Sequence, residues 1–413
     1  MAVHSTSACA GRAKGSLRRL PVAPRALMVC VCFLTLAACG TIERPALTVA
    51  DYRSALQLTA LAPFRFAATD ERSFLAWNAD WSQQRSALGL DGVQVLGLSG
   101  GGANGAYGAG VVVGWTQTGE RPKFDIVTGV STGALIAPLV FAGPAWDARL
   151  TAAYHDRRLE GLFNGAARAA FRPSLFSASV LSQVVDSYVD EALLKAIAAE
   201  NDAGRRLVVA TTNIDTQEGV VWDLGAIAKS SLRADDQGRS LRLFREVLVA
   251  SASIPGVFPP AMINWGGVAG APAEMHVDGG VTTPFLVVPE SMTQWRPQPS
   301  MRPTKVYLII NGKIAPTYAL TRGGIVSIIL RALDTNGRAD ARAHIQAAQT
   351  FAARSGATLA YTAIPEDDPA DQFNFQSANL TRLFELGYQS ALHSQAFRAA
   401  DPVPDPAPTS PDH

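Results

Sequence analysis

The chain has 413 residues, of which 48% are apolar and 17% charged, with a net charge of +1. That is a globular composition with ample material for a large core. The near balance of charge and the lack of a dense basic patch exclude a nucleic-acid-binding role, and no repeat or heptad pattern is visible.

The chain opens on a basic, acid-free segment with Arg12, Lys14, Arg18, Arg19 and Arg25, followed by the apolar run Ala26–Ala38. At about 13 residues the run is too short for a membrane span, which needs roughly 20, but it suits the core of an export signal. It ends in Leu36-Ala37-Ala38-Cys39, then Gly40. This segment resembles bacterial lipoprotein precursors, cut before a cysteine that then carries lipid. The resemblance implies a signal peptide over 1–38, a lipidated Cys39 and membrane attachment. With no aspartate after the cysteine, the expected location is the outer membrane, facing the periplasm or the outside. All four cysteines (Cys9, Cys30, Cys32 and Cys39) lie at or before the cut. The mature chain therefore has no disulfide and no tetracysteine metal site. It retains 31 basic against 35 acidic residues.

Residues 39–92 read as a tether and a helical approach, whose Phe64, Phe66, Phe74, Trp77 and Trp81 are expected to pack on the main body. Alternating elements follow: a strand over 93–99, a helix over 106–117, a strand over 124–130 and a helix over 132–143. A longer helix is predicted over 178–199, with an apolar stripe from Val180 to Val189 at 3.6-residue spacing. A strand pair over 206–224, a helix near 241–251 and strands at 275–278 and 305–312 come next. A helical region around a strand at 358–364 runs to about residue 400. The near-continuous apolar strands imply an α/β fold of three layers, α/β/α, with a mostly parallel central sheet. The domains read as 93–290, catalytic, and 291–400, an α/β extension; 401–413 is Pro- and Asp-rich and expected to be disordered.

Three motifs carry chemistry. Gly100-Gly101-Gly102-Ala103-Asn104-Gly105 follows the first strand and contains the letters of a dinucleotide-binding loop. That reading needs an acidic residue closing the second strand, and Asp125 opens it instead. A P-loop is excluded because no Gly-Lys-Ser/Thr follows. Glycine amides there can hold an oxyanion. Gly129-Val130-Ser131-Thr132-Gly133 lies between a strand and a helix, the setting of a nucleophile elbow, with the helix aiming its positive end at Ser131. Asp278-Gly279-Gly280 ends the strand at 275–278, where a carboxylate can point into a cleft.

In order and spacing, these motifs resemble those of the patatin-like phospholipases, a family of lipid acyl hydrolases. Residues 250–260, ASASIPGVFPP, resemble the segment that precedes the family's aspartate. The likeness covers roughly 93–290. It implies a Ser–Asp dyad without histidine: Ser131 as nucleophile, Asp278 as proton acceptor, and the amides of Gly100, Gly101 and Gly102 as oxyanion hole. Gly105, Gly129, Gly133, Gly279 and Gly280 complete the motifs. The implied substrate is a lipid or other acyl ester, with no cofactor and no metal. Asn104 departs from the pattern, since the family carries Arg or Lys there, and this puts a preference for anionic head groups in question.

Two alternatives stand beside this reading. A Ser-His-Asp hydrolase would place its histidine after the acid, which leaves His344 and His393. His276 shares a strand face with Asp278 and is a candidate neighbour of the aspartate. The other alternative is a non-catalytic lipoprotein that binds acyl chains in the same cleft.

Overall fold

The computed structural model describes residues 44, 48–51, 60–162, 178–265, 272–285, 304–321, 323–393 and 396–399. The signal peptide, Cys39 and the 401–413 tail lie outside the described residues. Ten strands form one mixed sheet: β1 (Arg65–Ala67), β2 (Val93–Leu98), β3 (Ile126–Val130), β4 (Arg206–Asn213), β5 (Glu218–Asp223), β6 (Ala261–Asn264), β7 (Ala273–Asp278), β8 (Thr304–Ile310), β9 (Thr358–Ala363) and β10 (Arg398–Ala399). The path runs β1-β5-β4-β3-β2-β8-β9-β10, with β7 pairing β4 and β6. The centre β4-β3-β2-β8-β9 is parallel, and the edges are antiparallel.

The helices are α1 (Glu71–Ala87), α2 (Gly105–Gln117), α3 (Thr132–Ala142), α4 (Asp147–Tyr154), α5 (Ala178–Tyr188), α6 (Glu191–Asp202), α7 (Leu224–Ser230), α8 (Arg239–Ser251), α9 (Ile325–Ser355) and α10 (Ser377–Leu392). They cover the sheet and give the three-layer α/β/α architecture. Burial fits the parallel centre: β4 is buried along its whole length, and Leu96, Leu98, Val127 and Val209 are fully enclosed. Strands covered on both faces need apolar side chains on both.

Two elements depart from the sequence expectation. The helix expected over 178–199 is two helices, broken at Val189-Asp190. Asp190 is extended and accepts a hydrogen bond from the amide of Leu193, capping α6. An aspartate cap restarts the helix where an apolar stripe runs on without a break. Strand β6 was not foreseen; it pairs antiparallel with β7.

The N-terminal segment docks on the site's own strand. Phe66 and Phe74 bury against Val130, Val208 and Ala210, and Trp81 donates to the carbonyl of Gly204. Beyond residue 290, β8 pairs in parallel with β2 in the same sheet.

Candidate active site

One strand brings two chain ends together. The first half of β4 pairs in parallel with β3, Ala210 lying opposite Val130. Its second half pairs antiparallel with β7 on the same edge, Thr211 lying opposite Asp278. β3 and β7 thus run toward each other along β4 and meet end to end. Ser131 leaves one end and Asp278 closes the other.

Ser131 takes φ +55° and ψ −125°, a conformation that costs a non-glycine residue about 1–3 kcal/mol unless its surroundings enforce it. They do. Its amide donates to Ser251 Oγ at 3.0 Å, Ser251 Oγ donates to the carbonyl of Ala210 at 2.7 Å, and the carbonyl of Ser131 accepts from the amides of Ala134 and Leu135 in α3. Gly133 tightens the turn further, because a Cβ there would sit 2.3 Å from the carbonyl oxygen of Leu98. The strained turn holds the hydroxyl at the mouth of a cleft, with the α3 N-terminus beneath it.

Ser131 Oγ donates to Asp278 Oδ2 at 2.6 Å, both side chains being buried. The other carboxylate oxygen accepts from the amide of Gly280 at 2.7 Å. Burial pushes the Asp278 carboxyl up to about 7, against the opposing pull of these two hydrogen bonds. No cation forms an ion pair with it among the described residues. A carboxylate of that basicity suits proton transfer near neutral pH.

The glycine loop lies beside Ser131; a Cβ on Gly100 would be 3.1 Å from the Ser131 Cβ. The amide of Gly100 is taken by the carbonyl of Pro284 at 3.1 Å. It is therefore not a free donor, in contrast to the expectation for this residue. The amides of Gly101 and Gly102 have no hydrogen-bond acceptor among the described residues. Both glycines have positive φ and no room for a side chain: a Cβ on Gly101 would meet Asn311 O at 1.9 Å, and one on Gly102 would meet Gln372 O at 2.3 Å.

Asn311 is a residue that the sequence reading missed. Its side-chain amide donates to the carbonyl of Ser99 at 2.7 Å and its Oδ1 accepts from the amide of Gly108 at 3.1 Å. One side chain thereby ties β2 to α2 across the glycine loop. The available signal was a polar residue ending the buried run Tyr307–Ile310. Ser251, which steadies the elbow, lay inside the 250–260 segment but carried no distinguishing mark.

Among the described residues, no histidine hydrogen-bonds to Ser131 or Asp278. His344 and His393 each bond a carbonyl of their own helix. His276 is fully buried between Thr211 Oγ1 (2.9 Å from Nδ1) and Glu274 Oε2 (3.0 Å from Nε2). Trp222 Nε1 donates to Thr211 Oγ1, so the hydroxyl proton faces His276 Nδ1, and Nε2–H faces the carboxylate. Burial pushes the His276 pKa down despite Glu274 beside it, in keeping with this neutral ring. Asp125 opens β3, paired with Arg85 at 2.6 Å and accepting from the amide of Gln94.

Two spaces open onto Ser131. A cleft of about 620 Å³ carries Gly100–Gly102, Asn104, Ser131, Asp278 and Asn311 on its wall. A smaller cavity of about 90 Å³ is walled by apolar side chains, among them Leu135, Leu139, Leu181, Val185, Leu248 and Phe258. Among the described residues no group of three or more His, Cys, Asp or Glu side chains could hold a metal ion. None of their helices is long and apolar enough to cross a membrane.

The stretch of chain that holds the elbow, the glycine loop and the aspartate matches a known family from residue 96 to residue 289. Those residues form a patatin-like phospholipase domain. No curated protein matches the chain. Among solved structures, VipD from Legionella pneumophila is 13% identical, with a TM-score of 0.32, over 76% of this chain and 68% of that one. ExoU from the type III secretion system of Pseudomonas aeruginosa, solved in complex with SpcU, is 12% identical, with a TM-score of 0.27, over 75% of this chain and 54% of that one. The patatin-like domain takes in β2 to β7, while the Asn311 that ties its glycine loop lies beyond it.

Proposed function

We propose that the protein is a serine lipid acyl hydrolase of the phospholipase A, lysophospholipase or esterase type. The observation that carries this reading is the 2.6 Å hydrogen bond from Ser131 to a carboxylate whose pKa lies near 7. In the proposed cycle, Asp278 takes the hydroxyl proton as Ser131 Oγ attacks the ester carbonyl. The amides of Gly101 and Gly102 hold the oxyanion; one such donor typically contributes about 3–4 kcal/mol. Asp278 then gives its proton to the departing alcohol, leaving an acyl-enzyme. Water attacks the acyl carbon, passes a proton to Asp278, and the fatty acid leaves as that proton returns to Ser131 Oγ. The small apolar cavity beside Ser131 is the place for the acyl chain.

The test uses purified, folded variants on a medium-chain nitrophenyl ester. Ser131→Ala and Asp278→Asn are each expected to lower kcat by at least about 10². An active Asp278→Asn protein, or a His276→Ala, His344→Ala or His393→Ala protein as inert as Ser131→Ala, refutes the dyad. Acyl-chain binding by a wild type that hydrolyses no ester supports the non-catalytic reading instead. Product analysis on mixed phospholipids, lysophospholipids and glycerides identifies the bond cleaved.

The lipobox ending at Cys39 supports a further part of the proposal, a lipidated protein held at the outer membrane. Three acyl chains exceed the two signals that stable attachment needs. Cys39→Ser is expected to move the protein into soluble fractions; unchanged membrane association refutes the anchor.

A further inference from the structure

The wall of the cleft contains a buried lysine with nothing to pair with. Lys313 follows β8 by three residues and is 8% exposed, yet it has no hydrogen-bond or ion-pair partner among the described residues. Buried charges are ordinarily paired, because the ammonium loses its hydration with nothing to replace it.

The other charges of the cleft are already engaged. Arg331 reaches Asp334 at 3.2 Å and donates to the carbonyl of Thr317. Arg338 reaches Asp334 at 3.1 Å and donates to Ala315 O and Thr317 Oγ1. Asp278 is held by Ser131 and Gly280, and Asp371 Oδ1 accepts from the amide of Phe373. Of the three cations on the wall, Lys313 alone faces the space without a protein counter-charge.

Its position is close to the chemistry. Asn311 touches Gly101 through its carbonyl, and two residues of extended chain span roughly 7 Å. A second polar group waits in the same cleft: Asn104 is 6% exposed, and its Oδ1 is buried with no hydrogen-bond partner among the described residues. Position 104 lacks the cation that the glycine-loop pattern led one to expect, and β8 brings one to the cleft from elsewhere in the chain.

We infer that Lys313 is the specificity-determining cation of this cleft, binding a phosphate carried by the acyl ester so that its carbonyl lies over Ser131. This rests on the hydrolase reading of Ser131. The substrate class is then a phosphate-bearing glycerol ester in preference to a neutral one.

The experiment compares dihexanoyl phosphatidic acid with dihexanoylglycerol, identical in acyl chains and different in charge. Wild type is expected to favour the phosphatidic acid in kcat/KM. Lys313→Met is expected to cut that preference at least about tenfold, as loss of a desolvated charge partner does, and Lys313→Arg to keep most of it. A preference that survives Lys313→Met overturns the inference. So does a wild type that cleaves nitrophenyl esters but ignores the charge, an outcome that leaves the hydrolase reading intact. If wild type is inert on every ester, the hydrolase reading fails. Calorimetric binding of the two lipids to Ser131→Ala and to Ser131→Ala/Lys313→Met proteins then tests the lysine by itself. Inorganic phosphate is the control for a free-anion site, and competition at an affinity equal to that of the lipid overturns the assignment to a lipid head group.

Discussion

Glu274 and Asp278 stand four residues apart on β7, and the fold treats them in opposite ways. Burial pushes both carboxyls up. At Glu274, hydrogen bonds from His276 and Arg65 and the Arg65 charge more than reverse the effect and hold it down to about 2. Arg65 grips both of its oxygens at 2.6 and 2.8 Å, and Trp265 and Asn213 donate as well. At Asp278 there is no cation, only one hydroxyl and one amide, and the carboxyl rises to about 7. The same side-chain chemistry on one strand yields a permanent anion in one place and a proton acceptor in the other. Environment assigns the role, and the distance between the two environments is one turn of the pleat.

The contrast can be broken most severely at Arg65. Arg65→Met leaves Glu274 buried without its counter-charge and is expected to cost about 3–5 kcal/mol of stability, measured by denaturant unfolding. A loss below about 1 kcal/mol would mean that His276, Asn213 and Trp265 suffice to hold the carboxylate.

The pH dependence of stability sharpens the contrast. Glu274 has a folded pKa below its ordinary value, so its contribution is present above about 4.5 and is lost as pH falls toward about 2. Asp278 has a raised pKa, so the folded state binds its proton more tightly. That contribution is full below about 3.8 and is lost as pH rises through about 7. Asp278→Asn is therefore expected to be more stable than wild type at pH 8, by about 2 kcal/mol, with the gain vanishing near pH 4. Equal stability at both pH values would place the carboxyl in a wetter site. The same titration sets activity: kcat/KM on a neutral ester is expected to rise with pH through about 7 as the base ionises.

The smallest effect is expected at His276. Its ring is neutral and bonded away from Asp278, so His276→Gln, which can still bond Thr211 and Glu274, is expected to cost about 1 kcal/mol of stability. It should leave the pH midpoint of kcat/KM in place. A midpoint moved by a full unit would make the histidine part of the acid–base machinery.

Local chemistry was legible in the sequence where a short stretch contains its own explanation. The apolar run of β3 followed by Gly-x-Ser-x-Gly announces strand, turn and helix, and Ser131 takes the positive φ that such a turn demands. The apolar runs of β2, β4 and β8 likewise announce a covered sheet. What the sequence concealed depends on contacts between distant segments. The break at Asp190 was masked because the apolar stripe continues in α6 through Leu193, Leu194 and Ile197, all buried. The commitment of the Gly100 amide depends on Pro284, and the anchoring of the glycine loop depends on Asn311. The pairing of β3 and β7 on one edge of β4 cannot be inferred from either strand alone.

That shared edge has a consequence for when the protein becomes competent. Ser131 and Asp278 are 147 positions apart in the chain, and neither strand carries the other's partner. They become neighbours only after β4 has recruited both, one from the segment before it and one from the segment after. Contacts between such distant positions are slow to form, because the intervening chain must first be ordered. An incomplete chain lacking β7 has a formed elbow and no base. Hydrolytic power is thereby withheld until the sheet is whole, and catalysis doubles as a report that folding is finished.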